Sequence, residues 1–377
     1  MIPAPPRPTL LPAPGEPDAC YLLDLSGWAR GIHEVRRPLA GDHVVSQSVV
    51  GRLVNLLLDQ QPAYLAVAAD TPGATWQNAI WHGYKAKRVD PGPAYDAEIE
   101  TILRVLAAHR IPVFRAAGFE ADDLLATTAR RARGAGLRVV IVSRDHDLYQ
   151  LCDEAGEIVI WDGTAETATG APEVRARYGV GPELLADLMA LAGDGDEAPG
   201  IAGVGEKTAA ELLRKRGSLT EVLRKWDWES GARRARLRDG AAAAWMSRQL
   251  VTLREDVPID FDLAEMAVGW GESDAVIIRQ LGEELEIPRM VGVLPGGFPK
   301  APQSAERLAA AAAAVQPAAP PDPPAMEPPA MVPPAIAAPP PTEPPPAPPA
   351  PSAPVDESAP RQGDLFARLA PPNADRA

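Results

Sequence analysis

The chain has 377 residues, of which 43 are proline, and a formal net charge of −14. Its two cysteines, Cys20 and Cys152, stand in no metal-ligand spacing, which excludes a disulfide scaffold and fits a reducing compartment. No apolar run reaches membrane-spanning length and no signal-peptide pattern opens the chain, so we expect a cytoplasmic protein without a membrane partner.

Both ends of the chain have the composition of disordered segments. Residues 1–18 are rich in proline, and the chain from residue 301 onward holds 23 of the 43 prolines with few large apolar residues. Such segments bury too little apolar surface to fold. We therefore predict disorder over residues 1–18 and 293–377.

Short apolar runs alternate with longer helical patterns through residues 19–170. The predicted strands are 21–25, 63–69, 111–115, 137–142 and 157–161. The predicted helices between them lie near 45–59, 95–109, 120–134 and 146–152. This alternation predicts an α/β fold with a largely parallel sheet, in which ligands bind beyond the carboxyl ends of the strands.

The pattern becomes almost wholly helical over residues 171–292. Helices are expected in the segments PELLADLMALAG, EKTAAELLRKRG and SLTEVLRKW, with a long helix near 238–254. A second, helical module is the natural interpretation.

Acidic residues stand where the chain enters or leaves the predicted strands. There are nine of them: Asp24, Asp70, Glu120, Asp122, Asp123, Asp145, Asp147, Asp194 and Asp196. Two unit charges about 4 Å apart repel by roughly 4 kcal/mol at an effective dielectric constant of about 20, so a converging set requires divalent cations. Taken singly, the segment 120–123 is better explained by helix capping, and turn formation is the lesser alternative for Asp145 and Asp147.

Two further segments suit contact with phosphate. The segment WHGYKAKRVD carries Tyr84, Lys85 and Arg88 soon after Asp70, and it is either a solvated basic loop or a clamp on a phosphate group. His146, between two aspartates, is a candidate ligand or phosphate contact, although a lone histidine is more often neither.

The segment GIAGVGEKTAAELL has the form of a helix-hairpin-helix, which we place at about 193–216. Its glycines allow a tight turn, and the next helix begins near Glu206 with free N–H groups and Lys207 available to a phosphate. Such a contact is to the nucleic-acid backbone and carries no sequence information.

In this order the segments GFEADDLLAT, YKAKR, DHDLYQL and PGIAGVGEKTA resemble the bacterial 5'-3' exonuclease and flap endonuclease family. That family occurs as the N-terminal domain of DNA polymerase I and as free-standing proteins. The resemblance covers roughly residues 21–290, and since no polymerase pattern follows, we expect the free-standing form.

The resemblance implies a PIN-like nuclease domain with two Mg²⁺ or Mn²⁺ ions, and a K⁺ ion at the hairpin. It implies that the nine acidic residues hold the metals and that Lys85 and Arg88 are catalytic. It also implies a group of DNA-binding residues, namely Arg30, Tyr84, Gly203, Gly205, Lys207 and Thr208. The expected substrates are DNA with a 5' flap or 5' end and RNA in RNA/DNA hybrids, handled in replication or repair near the nucleoid.

Some positions depart from the family pattern. A GDxxDN motif is usual, whereas only Gly195 separates Asp194 from Asp196 here. His146 replaces a frequent lysine, and Gln77 lies near a usual arginine. The alternative is therefore a non-catalytic or weakly active, clamp-associated DNA-binding protein with an impaired second metal site.

The peptide RQGDLFARL interrupts the proline-alanine composition near the end of the chain. Gln362, Asp364, Leu365 and Phe366 resemble the peptide by which bacterial replication proteins bind the DNA polymerase sliding clamp. The alternative is a chance apolar cluster. Some sixty residues of polyproline-like chain could reach about 190 Å, enough to raise the effective concentration of a tethered nuclease.

Overall fold

A computed structural model describes residues 10–36, 43–163, 165, 167–268 and 275–286. Residues 1–9, the segment 293–377 and the predicted clamp peptide lie outside the described residues. Among the helices that are described, none combines the length and apolar character needed to cross a lipid bilayer.

The central sheet has six strands in the order β3-β2-β1-β4-β5-β6. The strands are β1 (Ala19–Asp24), β2 (Tyr64–Ala68), β3 (Val113–Phe114), β4 (Arg138–Val142), β5 (Ile158–Trp161) and β6 (Ala168–Thr169). The first five pair in parallel, and only the short β6 is antiparallel to its neighbour β5. The predicted α/β fold with a largely parallel sheet is confirmed.

Helices cover both faces of this sheet. Those of the first half are α1 (Leu25–Arg36), α2 (Val44–Gln60), α3 (Trp76–Ile80), α4 (Pro93–Ala108) and α5 (Ala121–Gly134). The predicted helix at 146–152 is a 3-10 helix over Asp147–Leu151. One apolar core lies between the sheet and helices α1, α2 and α4, and a second lies beneath α5.

Successive side chains of β1 point into different cores. Tyr21 and Leu23 face the first core, whereas Cys20 and Leu22 face the second, and all four are nearly inaccessible to solvent. Because a strand places successive side chains on opposite faces, a fully apolar strand must be covered on both sides. The sheet edge where the strands end therefore becomes the place for polar side chains.

The second half of the chain is helical, as predicted. Its helices are α6 (Ala171–Tyr178), α7 (Leu185–Ala192), α8 (Glu206–Arg216), α9 (Leu219–Arg224), α10 (Gly231–Val251), α11 (Leu263–Met266) and α12 (Ala275–Glu284). A third core joins α7, α8, α9 and α10. The long helix α10 begins seven residues before the predicted start at 238 and ends at 251.

After α10 the chain returns to the first half of the protein. Val257 and Met266 are buried in the core beneath α5, and the backbone N–H of Val268 donates to the carbonyl of Ala63. Leu281 of α12 and Leu285, directly after the helix, belong to the first core. The predicted helical module 171–292 therefore has its independent core only up to about α10.

The predicted disorder of residues 1–18 is wrong for residues 10–18. Leu11 is 7% exposed and belongs to the first core, and the carboxylate of Asp18 binds the Arg138 guanidinium at 2.8 Å. The sequence analysis missed this anchoring because it averaged the composition over a proline-rich segment. The anchoring depends instead on two individual side chains, Leu11 and Asp18.

Candidate metal centre

The first acidic residue of the site ends β1 and caps α1. Asp24 is 3% exposed, and its carboxylate accepts hydrogen bonds from the backbone N–H of Gly27 and the hydroxyl of Ser143, each at 2.7 Å. The first is the usual bond from a helix N-cap to the third helical residue. A side-chain carbon at Gly27 would overlap this carboxylate, so the glycine is required for its position.

Asp70 follows β2 and lies beside the start of α5. Its Oδ1 accepts from the backbone N–H of Ala121 at 2.7 Å, and its own N–H donates to the hydroxyl of Ser26 at 2.9 Å. The free N–H groups of the first helical turn favour a carboxylate at this place. The sheet edge thereby joins the ends of β1 and β2 to the first turn of α5.

At this edge the charges of Asp70 and Asp145 act on Asp24, and those of Asp145 and Asp24 act on Asp122. Burial first, and then the charges of Asp70 and Asp145, raise the pKa of Asp24 to about 6 against the hydrogen bonds from Gly27 and Ser143, which lower it. Burial also raises the pKa of Asp122 well above its ordinary value, followed by repulsion from Asp145 and Asp24. The Ser143 hydroxyl, which donates to Asp24, also accepts from the backbone N–H of Asp145 at 3.0 Å, so the ends of β1 and β4 meet at this edge.

A second group lies between the β4 loop and the hairpin after α7. Carboxylate oxygens of Asp147, Asp194 and Glu197 all lie within 4.8 Å of one another. Burial, and next the charge of Asp145, raises the pKa of both Asp147 and Asp194. Three oxygen ligands at this separation suit a hard divalent cation.

The hairpin turn explains why Glu197 joins this group. Gly195 has φ +48, and the N–H of Glu197 donates to the carbonyl of Asp194 at 2.8 Å, closing a tight turn. Asp196 instead faces Arg88, with its Oδ2 3.6 Å from Nε. The structure thus places Glu197, three residues after Asp194, where the sequence analysis expected Asp196.

The basic loop 84–88 lies against both acidic groups. Lys85 Nζ is 2.8 Å from Glu120 and 3.5 Å from Glu197, and Arg88 forms an ion pair with Glu197. Burial lowers the pKa of Lys85, but Glu120, Glu197 and Asp122 outweigh it, so the pKa lies above its ordinary value and the ammonium stays charged. The Tyr84 hydroxyl donates to Glu120 at 2.8 Å.

Asp123 stands apart from both groups. It is 1% exposed, and its two oxygens accept hydrogen bonds from the Trp76 indole at 2.8 Å and from the backbone N–H of Arg254 at 2.9 Å. Burial raises its pKa, and these two bonds lower it. The carboxylate therefore fastens the returning segment after α10 to the start of α5.

A cavity of about 320 Å³ adjoins the second acidic group. His146 and Arg177 line it, and the Arg177 guanidinium lies 3.2 Å from the imidazole Nε2. Burial, and then the positive charge of Arg177, lowers the pKa of His146, so its imidazole is neutral at pH 7. Arg177 was not singled out in the sequence analysis, because nothing in its local pattern distinguishes it from a solvated helical arginine.

The predicted helix-hairpin-helix corresponds to α7, the turn 193–205 and α8. Gly203 has φ +78, Gly205 is the N-cap of α8, and Lys207 is exposed in the first turn, followed by the half-buried Thr208. These positions present backbone N–H groups and an ammonium to solvent. Arg30, the remaining predicted DNA contact, donates to the Val89 carbonyl at 2.9 Å beside the basic loop.

Glu197 is the site residue that sequence reasoning missed. The usable signal was the spacing Asp194-x-x-Glu197, which restores the two-residue interval of the family motif once glutamate is allowed at its second acidic position. Gln77, near a usual arginine, is 4% exposed and lies in α3.

Two adjoining family models match the chain. The 5'-3' exonuclease N-terminal resolvase-like domain matches residues 32–179, and the 5'-3' exonuclease C-terminal SAM fold matches residues 180–274. The chain is 34% identical over 270 residues to DNA polymerase I of Chloroflexus aurantiacus, and 37% identical over 258 residues to that of Treponema pallidum. Each match covers 66% of this chain but only 28% and 26% of the relative, so the chain spans about a quarter of these proteins.

Solved structures share the fold. T5 5'-exonuclease with bound zinc ions gives a TM-score of 0.52 at 18% identity, covering 73% of this chain and 98% of that one. Human GEN1 in complex with Holliday junction DNA gives 0.52 at 14% identity, covering 74% of this chain and 73% of that one. Since the two family models together match residues 32–274 without a gap, the chain belongs to the 5'-3' exonuclease family.

Proposed function

We propose that this protein is a metal-dependent 5'-3' exonuclease and 5'-flap endonuclease that hydrolyses phosphodiester bonds in DNA and in RNA primers during replication or repair. The carrying observation is that carboxylates from β1, β2, α5, the β4 loop and the hairpin converge at one sheet edge beside Lys85. Family membership supports the class of reaction, and the geometry of the sheet edge supports the choice of residues that would carry it out.

The proposed metal centre holds two divalent cations, and the group Asp147, Asp194 and Glu197 supports one of them directly. We assign Asp24, Asp70, Asp122 and Asp145 to one ion, and Asp147, Asp194 and Glu197 to the other. Carboxylate oxygens are ligands for Mg²⁺ and Mn²⁺, and buried anions with raised pKa values gain most from a bound cation. When bound, such ions activate water for attack on phosphorus and stabilise the charge that develops on the phosphate.

The side chains around the metals have separate tasks. Lys85 and Arg88 exchange their carboxylate partners for a phosphate and hold it at the edge of the sheet. Glu120, which accepts from both Tyr84 and Lys85, keeps the ammonium at the site when no substrate is present. Arg30 supports this basic loop through Val89.

The hairpin grips the substrate at a distance from the metals. Gly203, Gly205, Lys207 and Thr208 would contact the sugar-phosphate backbone, and a K⁺ ion bound by backbone carbonyls of the turn would neutralise phosphate nearby. Replacing K⁺ by Na⁺ should then weaken duplex binding without affecting the metal-binding and catalytic side chains.

Glu197 bears on the alternative of an impaired second metal site. A weakly active DNA-binding protein was suggested by the shortened interval between Asp194 and Asp196. With Glu197 beside Asp194 and Asp147, the second site has three carboxylates, which supports the catalytic interpretation.

The test is cleavage of a labelled 5'-flap duplex in Mg²⁺ and then Mn²⁺. The protein and an Asp59→Asn control, altered at an exposed position on α2, should cut near the junction, whereas Asp122→Asn and Asp145→Asn should not. Binding without cleavage by the unaltered chain would establish the non-catalytic alternative. A flap with a blocked 5' end separates endonuclease from exonuclease activity.

The proposal extends to the sliding clamp and to a nucleoid-associated location in the cytoplasm. Gln362, Asp364, Leu365 and Phe366 are assigned as the clamp peptide on their sequence pattern. Replacing Leu365 and Phe366 by alanine should abolish capture by immobilised clamp and leave flap cleavage by the free protein unchanged. Undiminished capture would refute this assignment.

A further inference from the structure

One surface of the helical half carries a charge opposite to that of the whole chain. Between Arg214 and Asp239 there are nine lysine and arginine residues and four carboxylates, a local net charge of +5 in a chain of −14. The segment runs from the end of α8 through α9 and a 3-10 turn at Trp226–Trp228 into the first turns of α10. Such a patch is the electrostatic signature of polyanion binding.

The carboxylates within this segment are too few to neutralise it. Glu229 lies 3.4 Å from Lys215, 3.2 Å from Arg216 and 3.5 Å from Arg233. Glu221 is likewise shared, between Arg224 and Lys225, each at 2.7 Å. These shared contacts fix the positions of five cations while leaving an excess of positive charge on the surface.

Two tryptophans order the basic side chains. The Arg216 guanidinium and the Lys225 ammonium lie 4.8 and 5.1 Å from the Trp228 ring centre, and Arg234 lies 5.2 Å from that of Trp226. Trp228 is 65% exposed. We name Arg216, Lys225, Trp226, Trp228 and Arg234 the tryptophan face. Holding long cationic side chains in place before binding reduces the entropy lost when a ligand orders them.

The tryptophan face continues from the hairpin turn. Arg233 of α10 pairs with Glu229 at 3.5 Å, and Arg236, three residues later on the same helix face, donates to the Gly203 carbonyl at 3.0 Å. Gly240, one turn further, lies so close to Ile201 of the hairpin that a side-chain carbon there would collide with it. A backbone gripped at the hairpin therefore lies beside the first turns of α10, which carry Arg233, Arg234 and Arg236.

We propose that the tryptophan face binds the sugar-phosphate backbone of duplex DNA beyond the hairpin contact, lengthening the grip on the duplex. The inference rests on the proposed function. A duplex is favoured over a single strand because each tryptophan ring already has a cation above it, whereas single-strand binding depends on aromatic rings that are free to stack with bases. Cations held in a row suit phosphates instead.

The test is the salt dependence of duplex affinity for the full chain in EDTA, where no cleavage occurs. Each phosphate contact contributes about 0.9 to the slope of log K against log salt concentration. The Lys225→Gln/Arg234→Gln variant should lower the slope by about 1.8 and weaken binding roughly tenfold at low salt. A matched Arg104→Gln/Arg130→Gln control, altered at surface ion pairs on α4 and α5, should match the unaltered chain.

A second variant distinguishes the ordering of the cationic side chains by tryptophan from the effect of their charge. Trp228→Leu keeps every cation, so it should weaken duplex binding roughly threefold with an unchanged slope. An unchanged salt slope and an unchanged duplex affinity in the Lys225→Gln/Arg234→Gln variant would overturn the proposal. So would a loss confined to a single-stranded oligonucleotide of equal length, or to an acidic protein ligand. Failure of the proposed nuclease activity is distinguishable, because it would appear as uncut flap in Mg²⁺ and would leave the slopes measured in EDTA intact.

Discussion

The acidic sheet edge and the tryptophan face deal with charge in opposite ways. At the sheet edge, carboxylates from distant parts of the sequence are buried together, and their raised pKa values record the cost of that arrangement. On the tryptophan face, Lys225 and Arg234 remain accessible to solvent and are ordered by aromatic rings. The comparison teaches that a net charge of −14 does not measure affinity for DNA, because residues 214–239 carry a local net charge of +5.

The largest expected effect comes from Asp122, in comparison with its sequence neighbour Asp123. Asp122→Asn removes a proposed ligand, and since metal polarisation of a phosphate supplies several kcal/mol, cleavage should fall by roughly 10³-fold or more. Asp123→Asn should leave cleavage within about tenfold but destabilise the fold by about 1–3 kcal/mol, since one bond to Trp76 or Arg254 loses its charged acceptor. Single-turnover cleavage and urea unfolding measure the two effects. Equal loss of cleavage in both variants would contradict this division.

A second pair tests the hairpin. Glu197→Gln should lower the cleavage rate by roughly 10²-fold and shift the Mg²⁺ requirement to higher concentration, because it removes one of three carboxylates from the second site. Asp196→Asn should change the rate only a few-fold, because it loses a half-exposed ion pair with Arg88. The reverse order of effects would restore Asp196 as the ligand.

A third pair tests the basic loop that faces the acidic edge. Lys85→Met should lower kcat by roughly 10²-fold, the usual cost of losing a donor aimed at developing charge. Lys87→Met, at an exposed position two residues away, should alter KM or affinity slightly and leave kcat alone. Rate measurements at saturating flap substrate make the comparison, and similar kcat values for the two variants would exclude Lys85 from catalysis.

The smallest expected effect is on stability. The pKa of Asp24 is about 6 in the folded, metal-free protein and about 3.9 in an unfolded chain, so the folded state binds more protons between these values. Its contribution therefore makes the free energy of unfolding fall as pH rises through that window. In EDTA, the difference in stability between the protein and Asp24→Asn should shift in favour of the variant from pH 5 to pH 7, as followed by urea unfolding. A difference independent of pH would contradict the burial of this carboxylate.

The fold was largely predictable because apolar strands buried on both faces leave a strong pattern. The strands β1, β2, β4 and β5 were expected within two residues of their observed bounds. Helix α1 was missed, since Gly27 and Gly31 weaken its helical propensity, and its start depends on the Asp24 cap. The anchoring of residues 10–18 was missed because it depends on Arg138, which is more than a hundred residues away.

The site was predictable by residue type and only partly by role. Asp122 and Asp123 are adjacent and look equivalent in sequence, yet one faces the other carboxylates and the other fastens Trp76 and Arg254. Their roles differ because the first turn of α5 points the two side chains in different directions. The partner of Asp123, Arg254, lies in the segment that returns after α10. The position of Glu197 beside Asp194 likewise depends on the turn at Gly195, which the pattern of strands does not predict.

Titration of Mn²⁺ into the metal-free protein tests the central claim most directly. Isothermal calorimetry and Mn²⁺ paramagnetic resonance should report two ions per chain, with one site lost in Asp122→Asn and the other lost in an Asp147→Asn/Glu197→Gln variant. Absence of Mn²⁺ binding, or two-ion binding undiminished in both variants, would contradict the account that the converging carboxylates form the metal centre.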